Sequence, residues 1–198
     1  MLEILKYGEF KPTGKQKKKH QIILSHSCRK SENYLFSLKY RFNGKYPRIP
    51  NYFIDKSGRI FKLLENIEHT TFFREQNINR NSIIIVLENL GWLQKEPLKD
   101  YYVNWIGDIY NGSVFEKKWR DYFFWDSYTE KQIISTANLC KNLFTEMKIK
   151  NDIIGHNTKI KGIEKFEGIV TRSNFSGDYT DLSPAFNFEE FKKNIENE

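Results

Sequence analysis

Two kinds of apolar pattern alternate along this chain. QIILSHS, residues 21–27, is an apolar run that ends abruptly in polar residues, and SIIIVLEN, residues 82–89, is apolar and β-branched almost throughout. Short continuous runs of this kind predict buried strands, the second of them central and covered on both faces. Tyr34, Leu35, Leu38 and Phe42 recur at helical spacing and predict a helix over residues 30–42. YFIDKSGRIFKLL, residues 52–64, reads as two short strands joined by the turn Asp55-Lys56-Ser57-Gly58, where Gly58 supplies a positive φ. Thr129 and Gln132 form a capping box. The stripe Ile133, Ala137, Cys140, Phe144 and Met147 then carries one helix face to about Lys148. DIIG, residues 152–155, predicts a short strand, and FEEFKKNIENE closes the chain as a helix. Strands interleaved with two long helices predict an α/β fold: a single domain with a central mixed β-sheet flanked by helices.

Three stretches stand outside this pattern. Residues 1–19, with the run KQKKK, predict a solvated basic arm ahead of a domain over 20–198. Residues 157–180 predict an extended irregular loop. Residues 93–127 hold ten aromatic side chains, Trp105 and Trp119 among them, and predict an insertion between the central strand and the capped helix. Its rings either pack as a satellite core or line a groove over a ligand.

Composition narrows the class. The chain has 198 residues, 39% hydrophobic and 29% charged, which is a globular balance. Its longest aliphatic run is IIIVL, far short of the ~20 residues of a membrane helix. MLEILKYGEF lacks the features of a secretory signal, so synthesis in the cytoplasm is expected. Two cysteines, Cys28 and Cys140, exclude a disulfide framework. Cys140 falls on the helix stripe and reads as a core residue. Lys and Arg number 32 against 25 Asp and Glu, a net charge of +7. That balance suits an anionic polymer without choosing among nucleic acid, membrane and cell wall. No helix-turn-helix or RNA-binding signature points to nucleic acid.

Of four histidines, His26 and His156 each follow an apolar run, where α/β sheets build their sites. Two such histidines are a candidate zinc pair. The order of motifs from about residue 20 to 192 resembles the zinc-dependent N-acetylmuramoyl-L-alanine amidases, the fold shared by phage amidase-type lysozymes and peptidoglycan recognition proteins. IILSHS, NYFIDKSGRIFKLL, EHTTF, SIIIVLEN, the capped helix, IIGH and TDLSPAFNF stand in the family's order. The family's last two motifs are G-H and T-D-P-G-P-x-F-D-W.

The resemblance implies Zn2+ held by His26, His156 and Asp181. It implies Glu88 as the general base on zinc-bound water, with Val86 standing where the family has a first acid. His69 would line the cleft. There are two departures. The family separates its second histidine from its third ligand by about ten residues, whereas 181 − 156 = 25 here. Glu167 in KFEG is therefore a competing ligand. The family's lysine, two residues before the third ligand, is Tyr179 here. Lys159, Lys165 or Arg172 of the long loop would serve instead, Arg172 at an oxyanion or merely paired with Asp178 or Glu167. Cys28 lies two residues beyond His26 and reads as a bystander.

The implied function is hydrolysis of the N-acetylmuramoyl-L-alanine amide of peptidoglycan by a monomer, in a phage endolysin or related wall-degrading enzyme that acts on the wall if released from the cytoplasm, or on cytoplasmic muropeptides. Substrate contacts are expected from His69, Trp105, Trp119 and Lys165. Two alternatives belong to other classes: a non-catalytic muropeptide-binding module of the same fold, and a phage regulatory protein that binds a host factor.

Overall fold

The computed structural model describes residues 3–197. Its strands and helices run in chain order as β1 (Ile4–Lys6), β2 (Gly14–Lys15), β3 (Gln21–His26), α1 (Ser31–Tyr40), β4 (Tyr52–Ile54), β5 (Ile60–Lys62), β6 (Glu68–His69), α2 (Gln76–Asn81) and β7 (Ser82–Leu87). There follow β8 (Trp92–Lys95), β9 (Tyr102–Val103), β10 (Ile109–Tyr110), β11 (Val114–Trp119), β12 (Tyr122–Asp126), α3 (Glu130–Met147), β13 (Gly168–Thr171) and α4 (Phe188–Glu196).

Six strands form the central sheet in the order β1-β5-β4-β7-β3-β13. All neighbours are parallel except the β4–β5 hairpin. The hairpin turns at Gly58, whose φ is 85°. Its Asp55 carboxylate accepts from the backbone amides of Ser57 and Arg59. β3 and β7 are wholly buried, which is why they read as unbroken apolar runs. Their side chains alternate between two cores. Ile22, Leu24, Ile83, Ile85 and Leu87 face Ile133, Ala137, Cys140 and Leu143 of α3 and Phe191 of α4. Ile23, Ile84 and Val86 face Leu35 and Leu38 of α1 together with Phe72 and Phe73. A mixed α/β domain with helices on both faces is thus what the binary pattern predicts and what forms.

The capping box of α3 is made as expected, with Thr129 accepting from the Gln132 amide and Gln132 accepting from the Thr129 amide. Lys148 in the left-handed region ends the helix.

Three segments depart from the expectations. The first lies at the amino terminus, where β1 pairs with β5 and β2 with β6. Lys19 of the basic run is 1% exposed and donates to the carbonyls of Glu68 and Ser82. Second, DIIG is no strand: Ile153 makes an isolated bridge to Ile169. Third, the strand beside β3 is β13, inside the stretch read as irregular loop. GIVT is only four residues long, too short for its apolar run to stand out from the polar residues around it.

Residues 92–126 form a second, antiparallel sheet in the order β10-β9-β8-β12-β11. It has its own core. Trp125 is fully buried, donates from Nε1 to the Lys117 carbonyl, and packs on Trp119 and Tyr122.

Candidate functional site

β7, β3 and β13 run parallel, so their carboxyl ends form one edge, the place where open α/β sheets collect functional groups. His26 is the last residue of β3 and is 6% exposed. Its Nδ1 is hydrogen-bonded to the Tyr128 hydroxyl at 3.0 Å, which sets the ring plane, and its Nε2 is buried with no protein partner. Gly91 is required beside it. A Cβ there would stand 3.3 Å from His26 Nε2, and Gly91 has a φ of 79°. Burial is the main influence on His26 and lowers its pKa; the Asp181 carboxylate opposes this without overcoming it. The ring is therefore held neutral.

Asp181 is 3% exposed and accepts from Ser25 Oγ. Its second neighbour is Arg172, the first residue beyond β13, with Nη1 3.6 Å from the carboxylate. The guanidinium is flanked by three rings: Tyr179 at 3.9 Å, Phe72 at 5.6 Å and Phe73 at 5.9 Å. Arg172 Nε and Ser183 Oγ are also buried without partners, and the Ser183 amide faces the Tyr128 hydroxyl. One edge thus gathers His26, Asp181, Arg172, Tyr128 and Ser183.

The other expected residues lie elsewhere or are otherwise engaged. His156 is exposed on the loop after Ile153. Its Nδ1 accepts from the Thr158 amide. Glu167 is paired with Lys150 at 2.8 Å on the surface. Glu88 spends both carboxylate oxygens on backbone amides, one on Ser31 at the start of α1 and one on Lys56 in the hairpin turn. It thereby ties the end of β7 to the start of α1 and to the hairpin turn. His69 is the last residue of β6, buried and paired with Gly14 of β2. Lys165 and Lys159 are exposed on the far segment. Burial pushes the Cys28 thiol up to about 12, so it is no ready thiolate.

The aromatic insertion buries some of its rings and exposes others. Trp125 and Trp119 belong to its core. Trp105 is 43% exposed, donates from Nε1 to the Cys28 carbonyl at 2.9 Å, and has the Arg29 guanidinium over its ring. It therefore stands beside the loop that follows His26. Between the insertion and the sheet edge lies a cavity of about 460 Å³ whose walls include Lys56, Glu88, Asn104, Tyr110, Asp126 and Tyr128. Asp126 pins the insertion there by accepting from Lys56 Nζ, Tyr110 Oη and the Leu90 amide. Tyr128 is shared by the cavity wall and the His26 cluster. The sequence held no mark of this junction, because Asp126, Lys56 and Tyr110 come from three distant segments.

Catalytic zinc takes three protein donors and leaves one position for water. Among the described residues no three His, Cys, Asp or Glu side chains are grouped to hold a metal ion. His26 and Asp181 are two suitable donors, and His26 Nε2 is buried without a partner. The third neighbour is a guanidinium, which has no lone pair to give and carries a fixed positive charge. The donor set does not fit zinc. What the cluster offers is a neutral imidazole, a hydroxyl and a charge-balanced guanidinium, groups that hydrogen-bond a polar ligand.

The family profile described as N-acetylmuramoyl-L-alanine amidase matches residues 13–165, which stops short of β13, Arg172 and Asp181. No curated protein sequence matches. The fold is similar to that of the N-acetylmuramoyl-L-alanine amidase LysC from Clostridium intestinale, at 12% identity, 99% of each chain covered and a TM-score of 0.56. It is similar to the E. coli amidase AmiD at 15% identity, with 92% of this chain and 59% of that chain covered and a TM-score of 0.55. A mutant endolysin from Bacillus subtilis shares it at 16% identity, with 98% and 99% covered and a TM-score of 0.54. With the family profile spanning residues 13–165 and the sheet, helices and strand-end histidine in the order that the sequence motifs predict, the chain belongs to the N-acetylmuramoyl-L-alanine amidase family.

Proposed function

We propose that the chain recognises the muramoyl-peptide unit of peptidoglycan in the cleft between the strand ends and the insertion, and that it does so without a zinc-activated water. The observation that carries this reading is the cluster at the ends of β3 and β13, where buried His26 Nε2, Arg172 Nε and Ser183 Oγ have no partner among the described residues and Asp181 is paired with Arg172. Buried polar atoms of this kind are satisfied by a ligand's own polar groups. Family membership supplies the ligand class. AmiD was captured with anhydro-N-acetylmuramic acid-L-Ala-D-gamma-Glu-L-Lys, which makes that compound the natural probe. The net charge of +7 favours an anionic wall.

Zinc-dependent hydrolysis of the N-acetylmuramoyl-L-alanine amide is the second reading, favoured by His26 Nε2, an unpaired donor at a strand end. In that case the protein would act as a monomeric wall-degrading enzyme of the endolysin kind. One experiment separates the two. Purified protein is titrated with the muropeptide by calorimetry and, in parallel, incubated with purified peptidoglycan in the presence of added zinc. Saturable binding without release of L-alanine amino groups supports recognition. Zinc-dependent release of those groups establishes the amidase. Neither binding nor release removes both.

A further inference from the structure

We infer that Arg172 stands in the place of the family's second metal-binding histidine, so that a guanidinium fixed in the protein, rather than a metal ion, is the cation beside Asp181.

The register of the sheet is the first ground. β13 pairs with β3 so that Thr171 lies opposite Leu24. The next residue on each strand, Arg172 and Ser25, comes level one step before His26. Ser25 and Arg172 then meet on the same Asp181 carboxylate. A histidine at residue 172 would therefore emerge from the neighbouring strand level with Ser25, one residue before His26, against the same Asp181 carboxylate. His156 emerges one bridge further out, after Ile153, and is exposed.

Spacing agrees. From 172 to 181 is 181 − 172 = 9 residues, close to the about ten of the family resemblance, against 25 from His156. With Arg172 in this place the expected fifteen-residue insertion vanishes from this segment.

The third ground is that the two departures at this site fit one another. Tyr179 occupies the place of the family's lysine, and its ring lies 3.9 Å from the Arg172 guanidinium. A lysine there would set a second cation against the first. A tyrosine covers the guanidinium with an aromatic face, and Phe72 and Phe73 complete the enclosure. The arginine side chain is only 21% exposed, so it is built into the site and does not reach in from the surface.

This inference concerns what fills the site and goes beyond the muropeptide reading, which concerns what the cleft binds. The test is metal binding by the full-length chain, read without any activity or wall-binding assay. After loading with excess zinc and exhaustive dialysis, wild type is expected to retain less than ~0.1 zinc per chain, whereas Arg172→His retains about one, as a three-donor site does. The variant's cobalt form should show the visible absorption of a four-coordinate site, and Arg172→His combined with His26→Ala should lose it. Circular dichroism reports whether each variant is folded. Stoichiometric zinc in wild type, removed by His26→Ala, overturns the inference whatever the variant does. A folded Arg172→His that takes no metal overturns it as well. Loss of muropeptide binding with these metal results unchanged would strike the proposed function alone.

Discussion

The two ends of one cleft edge carry similar residues and treat them differently. Beside β7, Glu88 is a half-buried carboxylate whose two oxygens each take a backbone amide, and the neighbouring Asp126 is saturated by a lysine, a tyrosine and an amide. Beside β3 and β13, His26, Arg172 and Ser183 each leave a buried polar atom unpaired. A carboxylate whose two oxygens are each held by the frame is fixed in place by it and has fewer lone pairs left for other partners. A group with an unpaired buried atom is arranged for something the protein does not itself supply. Position at a strand's carboxyl end is common to both and therefore decides nothing by itself. The bonding partners make the difference.

The largest effect should come from breaking the charge balance at the unpaired end. Asp181→Asn leaves the Arg172 guanidinium enclosed by three rings without its counter-charge. With Asp181 at 4% and Arg172 at 21% side-chain exposure, the loss should be about 3 kcal/mol, read by denaturant unfolding. A loss below ~0.5 kcal/mol would mean that the pair behaves like an exposed one.

At the saturated end, Glu88→Gln should cost about 1–2 kcal/mol, because one of two backbone amides then faces an amide NH2 group. Muropeptide affinity should be unchanged. A selective loss of affinity or turnover with stability intact would restore Glu88 as a functional group and erase the contrast drawn between the two ends.

Lys19 extends the comparison to the opposite end of the sheet, where the central strands start. Burial lowers its pKa from 10.5 to about 8. Between about 8 and 10.5 the unfolded chain binds more protons than the folded one, so this group's contribution to stability rises as pH rises through that window. Below about 8 both states hold the proton and the slope vanishes. Lys19→Met should flatten the stability profile between pH 8 and 10, measured as unfolding midpoints across buffers. An unaltered slope would show that the ammonium is not desolvated.

The smallest stability change belongs to Trp105→Ala. Its ring is 43% exposed and its main bond is to the Cys28 carbonyl, so the melting temperature should move by no more than a few degrees while muropeptide affinity falls about tenfold, or ~1.4 kcal/mol. Trp125→Ala in the same sheet, fully buried, should instead cost ~3–5 kcal/mol. Equal losses at both positions would make the whole insertion structural.

The α/β frame was legible in the sequence because burial on two faces writes itself as unbroken apolar runs in β3 and β7, and burial on one face as the stripe of α3. Local chemistry was equally readable: Thr129 and Gln132 cap a helix wherever they stand, and Gly58 turns a hairpin by its own φ. His26 and Asp181 were singled out by motif, since each stands at a strand end or in a short consensus, and both lie buried at the same sheet edge. Lys19 was not legible, because a lysine in a basic run looks solvated until two distant carbonyls close over it. Nor were Glu88's partners, which are amides from α1 and the hairpin. The pairing of β13 with β3 decided most. Four residues of GIVT carry little periodicity, yet their register against Gln21–Leu24 sets Arg172, and not His156, beside Asp181. Sequence by itself determines what a segment prefers to bury. Which side chains from remote segments meet at one carboxylate is a property of strand order and register, and these exist only once the sheet has formed.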